Sequence, residues 1–494
     1  MVDTLPPTVA CPVFMMSRMN PDATAVSDGE VSLTYRQFES RITDTMERLR
    51  ALGAGPGRRV GVLATNSASY AVLIFALQRL GTTAVLLNLR YGTEWWKQCL
   101  KRAECELLIA DRGGPSTAIP AVKAVSLDET TSPGPRPGKS IAAGDATVST
   151  GSESTILFTS GSTGDPRGVV LSFGNHYLNA MGSNANMPLD RADTYLDALP
   201  FYHVGGLAIL FRCAIAGCPV SIMDKFDAGD IAGLIDSGSV THLSLVPTML
   251  VDLMREWGRN PFPRTFKWLL LGGAPASKSL IEEATSRSIP ILTTYGMTET
   301  ASQVTAVSPN DPPERLYTAG RALEHAELRI VDSKGDGLPS GKEGEIAVRG
   351  PILFHEYLEP GGRSPFDEGG WFHTGDLGRI DDDGYLTVLG RRDEMFISGG
   401  ENIHPGMIER EASGFPGVVE CVVVGVPDER WGERPVLLAR IDRRSFPGVE
   451  HLREHLARQI PHMMVPERIE VVEEFPRTPL GKIDRAAVKE AYCR

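Results

Sequence analysis

Leu157-Phe-Thr-Ser-Gly-Ser-Thr-Gly-Asp-Pro-Arg-Gly-Val-Val-Leu171 places apolar, β-prone residues at both ends of a span, 159–168, that has no large apolar side chain. Three glycines, two serines and two threonines in that span give backbone N–H groups that can approach an anion closely, with hydroxyls beside them. The spacing Gly-x-x-x-x-Gly-Lys-Ser/Thr is absent and no helical pattern starts where the loop ends, so this is not a Walker A loop. Taken alone, the stretch fits a phosphate cradle and a Gly/Ser-rich surface hairpin equally well.

Working outward, the chain has the rhythm of an α/β protein. Towards the N-terminus, Thr34 and Gln37 form a capping-box pattern, and Phe38, Ile42, Met46 and Leu49 recur at helical spacing until Gly53. Residues 59–64 read as a buried strand, 67–80 as a largely buried helix, 83–89 and 107–110 as further strands, which predicts a parallel sheet with covering helices. A Pro, Gly and Ser-rich surface connection is expected over 130–144. Beyond the loop, Phe173-Gly-Asn-His-Tyr starts a helix, and strands at 220–223, 242–246, 268–271 and 289–294 alternate with helical segments. Leu269-Leu-Leu-Gly-Gly-Ala-Pro runs a strand into a Gly-Gly turn, and ligands of open α/β sheets bind at such strand ends. From Ala326 the pattern becomes short alternating strands, 327–331 and 344–349, the mark of a small β-rich subdomain. After Gly390 a last unit reads as a small α+β fold, with a strand at 421–426, a helix at 449–459 and a strand at 468–472.

A chain of 494 residues exceeds what one core organises. Its formal net charge of −12 argues against a basic nucleic-acid-binding face. Seven scattered cysteines without a Cys-x-x-Cys pair point to reduced thiols and no zinc site. The opening Met-Val-Asp-Thr-Leu-Pro-Pro lacks the pattern of a signal peptide, and no apolar run has the length and purity of a membrane span. A cytoplasmic enzyme is expected, with a homo-oligomer left open.

Further stretches in fixed order after the loop carry a family resemblance. They are Tyr295-Gly-Met-Thr-Glu299-Thr, Trp371-Phe-His-Thr-Gly-Asp376, Gly390-Arg391-Arg-Asp, Ser398-Gly-Gly-Glu-Asn-Ile-His-Pro and Pro476-Arg-Thr-Pro-Leu-Gly-Lys482. With Thr159 to Gly168 they resemble the adenylate-forming superfamily of acyl- and aryl-CoA ligases, luciferases and peptide-synthetase adenylation domains. The resemblance implies a large N-terminal adenylation domain, 1–389, of two parallel-sheet α/β subdomains plus the β-rich one. A hinge at 390–394 and a small mobile α+β domain, 395–494, complete it. The implied chemistry joins a small-molecule carboxylic acid to coenzyme A through an acyl-adenylate, with ATP and Mg²⁺ as cofactors.

Carried over residue by residue, Thr159, Ser160, Gly161, Ser162, Thr163, Gly164 and Arg167 would hold the phosphates. Arg167 departs from the family's Lys, keeping the charge while changing its geometry. Tyr295 would pack on adenine, walled on its other side by Gly272, Gly273 and Ala274, with Gly296 and Thr298 beside it. Glu299 would hold the metal, a carboxylate suiting Mg²⁺. Asp376 and Arg391 would reach the ribose. Lys482 would stabilise charge at the α-phosphate, forming with Thr163, Glu299 and His203 the catalytic set. Asp393 would be the pivot, and Ser398, Gly399 and Gly400 would line the pantetheine path once the small domain has turned.

For the acid itself, Pro200-Phe-Tyr-His-Val-Gly-Gly-Leu lacks the Asp with which peptide-synthetase domains hold an ammonium, so an amino acid is not expected. Finer resemblance points to the menaquinone-pathway branch of the acid-CoA ligases, whose acid is a succinyl-substituted benzoate. It is carried by Gly174-Asn-His-Tyr-Leu-Asn-Ala-Met-Gly-Ser-Asn-Ala-Asn, Asp224-Lys-Phe-Asp and Tyr-Gly-Met-Thr-Glu-Thr-Ala-Ser-Gln-Val-Thr. Tyr91-Gly-Thr-Glu-Trp-Trp and residues 184–187 depart from it. His203, Arg212, Lys225 and Ser302 are its pocket residues, one cation serving the carboxylate that is not activated. The rival readings are another acid-CoA ligase, an adenylation enzyme loading a carrier protein, and a non-catalytic binding descendant.

Overall fold

The computed structural model describes residues 5–111, 122–132, 146–160, 166–358, 364–399, 401–428, 430–477 and 483–492. Gly161, Ser162, Thr163, Gly164, Gly400, Lys482, Cys493 and most of the 130–144 connection lie outside the described residues.

The first sheet has seven strands in the order Glu356–Tyr357, Pro166–Ser172, Glu153–Ser160, Thr83–Leu86, Arg59–Leu63, Leu107–Ala110 and Lys123–Ser126. From Glu153–Ser160 onward all pairings are parallel, whereas Pro166–Ser172 and Glu356–Tyr357 add antiparallel strands at one edge. The second sheet has nine strands and is parallel from Ile291–Met297 through Trp268–Leu271, His242–Leu245, Tyr195–Asp197 and Val220–Ile222 to Thr24–Ser27. Helix Ala68–Arg79 runs within the core that joins the two sheets, with eleven of its twelve residues buried. A helix apolar on every face has no stable place elsewhere. Its one basic residue, Arg79, ends in a buried ion pair with Glu39 at 2.6 Å. Thr34 and Gln37 make the expected reciprocal capping box at the start of helix Tyr35–Ala51.

A four-stranded antiparallel sheet follows, Glu327–Val331, Gly344–Arg349, Phe372–Ile380 and Leu386–Arg391. The last five-stranded sheet is built from Phe396–Ser398, Glu401–Ile403, Val418–Asp428, Gly432–Ile441 and Arg468–Val472, with helices Pro405–Ser413, Val449–Gln459 and Arg485–Tyr492. It has apolar clusters of its own, centred on Leu437 and Leu452 and on Val424 and Leu438.

Two of the strands that differ from the sequence reading do so for plain physical reasons. The strand expected over 83–89 ends at Leu86, because the chain turns away towards Asn88, whose carbonyl accepts the indole N–H of Trp96 at 2.8 Å. The strand expected over 289–294 runs instead from Ile291 to Met297, because a hairpin pairs it antiparallel with Ser302–Ala306. The described cysteines are free thiols, and among the described residues no helix is long and apolar enough to cross a membrane.

Candidate active site

A cavity of about 1340 Å³ opens where the two large sheets, the antiparallel sheet and the C-terminal unit meet. Its floor is made by parallel-strand ends, Leu245 and Val246 after one strand and Gly272 and Gly273 after the next. Gly273 has a φ of +77°, a conformation open to glycine at little cost. The strands of the opening motif pair antiparallel with Thr159 opposite Arg167, and both residues stand in the cavity wall. The two ends of the loop are thereby pinned 3.4 Å apart, the Thr159 hydroxyl donating to the Arg167 carbonyl.

The hairpin from Ile291–Met297 into Ser302–Ala306 carries much of the site. A bulge between Tyr295 and Gly296 brings the Ser302 carbonyl so close to Gly296 that a Cβ there would meet it at 1.9 Å, so only glycine fits. At the tip, Ala301 and Ser302 have φ values of 54° and 124°, strain that the surroundings hold in place. The Thr300 hydroxyl donates to the Ser302 carbonyl at 2.7 Å, and the Asn179 amide donates to the carbonyls of Thr300 and Gln303 at 2.9 and 2.6 Å.

Glu299, in this turn, lines the cavity. Burial raises its carboxyl above the usual range, opposed by its own N–H, the Tyr357 hydroxyl and the nearby Arg167 charge. Tyr357 donates to Glu299 Oε1 at 2.9 Å. Asp376 lies opposite Arg391 in the strand register, and its two oxygens are both engaged, Oδ2 by the Tyr295 hydroxyl at 2.7 Å and Oδ1 by Arg391 Nη1 at 3.2 Å. Burial raises this carboxyl too. Each oxygen keeps further lone-pair capacity for a diol. The cavity-facing carboxylate of Glu299 fits Mg²⁺, which takes one or two protein oxygens and completes its shell with phosphate and water.

At another wall, helix Val204–Ala216 begins after His203, whose ring lies 4.9 Å from that of Tyr202, and both line the cavity. One face of the helix delivers Arg212, 1% exposed, whose Nη2 donates to Ser302 Oγ at 3.1 Å. Arg212 Nε has no hydrogen-bond partner, and no described carboxylate forms an ion pair with Arg212. Buried Asp197 lies within electrostatic reach, but burial pushes its carboxyl well up towards the neutral acid.

Not every residue singled out in the sequence reaches this cavity. Lys225 is exposed beyond strand Val220–Ile222 and contributes nothing to the wall, because the chain turns outward there towards helix Ala228–Asp236. Ala274 is exposed past the Gly-Gly turn. Tyr295 engages Asp376 while its neighbours Thr294 and Gly296 face the cavity, as does Thr298. Ser398 and Gly399 lie in the C-terminal unit away from the wall, and a Cβ on Gly399 would meet the Trp431 ring at 2.4 Å. Of the residues that the sequence reading missed, Tyr357 and Gln303 line the cavity, as does Glu345, which holds Arg392 at 2.6 Å. Tyr357 and Glu345 have no composition or spacing signal of their own, whereas Gln303 lies inside the quoted 295–305 stretch without being singled out.

Residues 15–358 match the AMP-binding enzyme family, and residues 407–482 match the AMP-binding enzyme C-terminal domain. The chain is 35% identical over 483 residues to a 2-succinylbenzoate–CoA ligase of Bacillus cereus, covering 97% of this chain and 98% of that one. A 2-succinylbenzoate–CoA ligase of Bacillus anthracis is also 35% identical, over 99% of both chains. Among solved structures, the o-succinylbenzoate CoA synthetase of Bacillus subtilis in complex with its acyl-adenylate intermediate superposes with a TM-score of 0.88 at 30% identity, covering 98% of this chain and 99% of that one. For a double mutant of the same enzyme bound to a product analogue, the TM-score is 0.74 at the same identity and coverage. With motif order, fold and cavity in agreement with these matches, the chain belongs to the AMP-binding enzyme family.

Proposed function

We propose that the chain is an ATP-dependent 2-succinylbenzoate–CoA ligase working on soluble substrates in the cytoplasm for menaquinone biosynthesis. The observation that carries the choice of acid is Arg212, a buried guanidinium in the cavity wall held only by the Ser302 hydroxyl among the described residues. A cation taken out of water needs a partner, and a carboxylate on the substrate supplies one. Arg212 therefore takes the role for which Lys225 was the alternative. The names of the relatives support the same acid. The test is to compare kcat/KM for 2-succinylbenzoate, its analogue lacking the benzoate carboxyl, benzoate and a medium-chain fatty acid.

In the reaction, the succinyl carboxylate attacks the α-phosphorus of ATP and pyrophosphate leaves. The CoA thiol then attacks the acyl carbon and AMP leaves. Residues 159–167 would cradle the phosphates, Asp376 and Arg391 would orient the ribose, and Glu299 would hold Mg²⁺, which would supply charge to offset the phosphates. Because Glu299 is pushed above its ordinary value of 4.5, it takes up a proton at higher pH than an exposed glutamate and then loses its hold on a cation. The acid limb of the adenylation rate profile should accordingly lie above pH 4.5 and move down as Mg²⁺ is raised, read by pyrophosphate exchange. An acid limb indifferent to Mg²⁺ would contradict the assignment of Glu299.

The hinge reading of 390–394, between domains 1–389 and 395–494, draws support from the ion pairs around it. Arg392 is tied to Glu345 at 2.6 Å on the large-domain side, and Glu394 to Arg485 at 3.1 Å on the small-domain side, leaving Asp393 between two anchors. The drop in TM-score from 0.88 to 0.74 at constant identity fits a small domain held here in the adenylating pose. Proline fixes φ near roughly −65° and removes a donor, so Asp393→Pro should block the pivot, leaving adenylate formation and abolishing thioester formation. Unchanged overall turnover would count against a two-pose cycle. For the thiol, Trp431 stands 39% exposed, with the guanidinium groups of Arg430 and Arg434 4.9 and 5.5 Å from its ring. A ring flanked by cations suits the nucleotide end of CoA, which favours free CoA over a carrier protein.

A further inference from the structure

Tyr357 lies outside every motif, yet two parts of the site converge on it. It occupies the two-residue strand Glu356–Tyr357, opposite Val169 in register. The main chain around it is strapped in both directions. Leu358 N–H donates to the Gly168 carbonyl at 2.7 Å, His355 N–H to Val170 at 3.0 Å, and Phe354 N–H to the Glu299 carbonyl at 2.8 Å. The segment thus bridges the strand that leaves the phosphate loop and the turn that carries Glu299.

Its side chain completes the bridge. The hydroxyl donates to Glu299 Oε1 at 2.9 Å, and the Arg167 guanidinium lies over the ring, 4.7 Å from its centroid. The Phe354 ring, edge-on at 4.6 Å, fixes the ring from another side. Two physical consequences follow. A carboxylate with one oxygen engaged by a fixed phenol has its remaining lone pairs aimed in one direction. A planar guanidinium can cover an aromatic face and still present N–H edges to a phosphate, which a lysine ammonium cannot do in the same place. The departure from Lys at position 167 and the presence of Tyr357 then have one explanation.

We propose that Tyr357 is a positioning residue that fixes Glu299 through its hydroxyl and seats Arg167 on its ring, matching an arginine to position 167. The inference rests on the reading of Glu299 as the cation-binding carboxylate and of 157–171 as the phosphate loop.

The test uses the full-length protein with ATP present, reading Mn²⁺ binding by electron paramagnetic resonance and ATP binding by calorimetry, with thermal melting alongside. Tyr357→Phe keeps the ring and removes the hydroxyl. It should weaken Mn²⁺ binding about tenfold, the scale of losing a group that orients a metal ligand, with the melting temperature unchanged. Arg167→Lys should weaken ATP binding about two- to fivefold in the wild-type background and leave it unchanged in a Tyr357→Leu background, where the seat is gone. Glu299→Gln separates the failures. If it leaves Mn²⁺ binding intact, the reading of Glu299 falls and this inference with it. If it abolishes binding while Tyr357→Phe binds Mn²⁺ like wild type, only the positioning role is overturned. Equal costs of Arg167→Lys in both backgrounds overturn the seat, and a lowered melting temperature with unchanged Mn²⁺ binding marks Tyr357 as purely structural.

Discussion

Lys482→Ala should slow acyl-adenylate formation about 10²- to 10³-fold while leaving most of the transfer from a supplied acyl-adenylate to CoA. When a carboxylate attacks the α-phosphorus, negative charge builds between two groups that already repel, and one positioned cation in a site closed to water lowers that barrier. Lys482 lies outside the described residues, with 478–481, but the described residues on either side of that segment are paired with each other. Arg477 and Ile483 form a β-bridge, and Asp484 N–H donates to the Pro476 carbonyl at 2.9 Å. Ile483, Asp484 and Arg485 stand in the cavity wall, with Arg485 paired to Glu409 at 2.7 Å and to Glu394 at 3.1 Å. The chain that follows the terminal motif is thus attached to the site through Glu394, the residue next to the proposed pivot. The two half-reactions separate under pyrophosphate exchange and thiolysis of the purified adenylate. Equal loss in both would refute this division of labour.

How much of this was legible in the chain depended on whether the deciding interaction was local. The two strands at the ends of 157–171, the capping box at Thr34 and the helix over 449–459 follow from neighbouring residues, and they appear where periodicity and turn chemistry place them. The run to Met297 does not, because its last residues become a strand only by pairing with Ser302–Ala306 after a turn containing two positive-φ residues. The site divides in the same way. Asp376 and Arg391 were readable as motif residues, but that they face one another across a hairpin is a matter of register. Lys225 and Arg212 were indistinguishable as spare cations in sequence. Burial separates them, since Arg212 sits on the inward face of an apolar helix while Lys225 follows a strand out to the surface. Tyr357 gave no signal because its partners are 58 and 190 positions away, in the Glu299 turn and at Arg167.

Arg212→Met should erase the enzyme's discrimination for the benzoate carboxyl, the larger of its two effects being on specificity rather than on fold. Methionine fills most of the volume with no charge, so the variant avoids a large cavity and no cation is left without a partner. In the wild type, an acid lacking the second carboxyl leaves the Arg212 guanidinium buried with only the Ser302 hydroxyl, and a site built for a charged group rejects such an analogue strongly. The expected penalty in kcat/KM is more than about tenfold, or roughly 1.4 kcal/mol. In the variant the balance reverses, because 2-succinylbenzoate must now bury an unpaired carboxylate, which costs several kcal/mol, on the order of a 10²- to 10³-fold loss. The decarboxylated analogue should be turned over at least as well as by the wild type, since no guanidinium is left unpaired. The four values of kcat/KM, two acids by two proteins, form a cycle whose coupling isolates the carboxylate–guanidinium contact from any general effect of the substitution. Additive losses would remove Arg212 from the acid site, and preference for benzoate or a fatty acid in the wild type would remove 2-succinylbenzoate as the substrate while leaving an acid-CoA ligase in place.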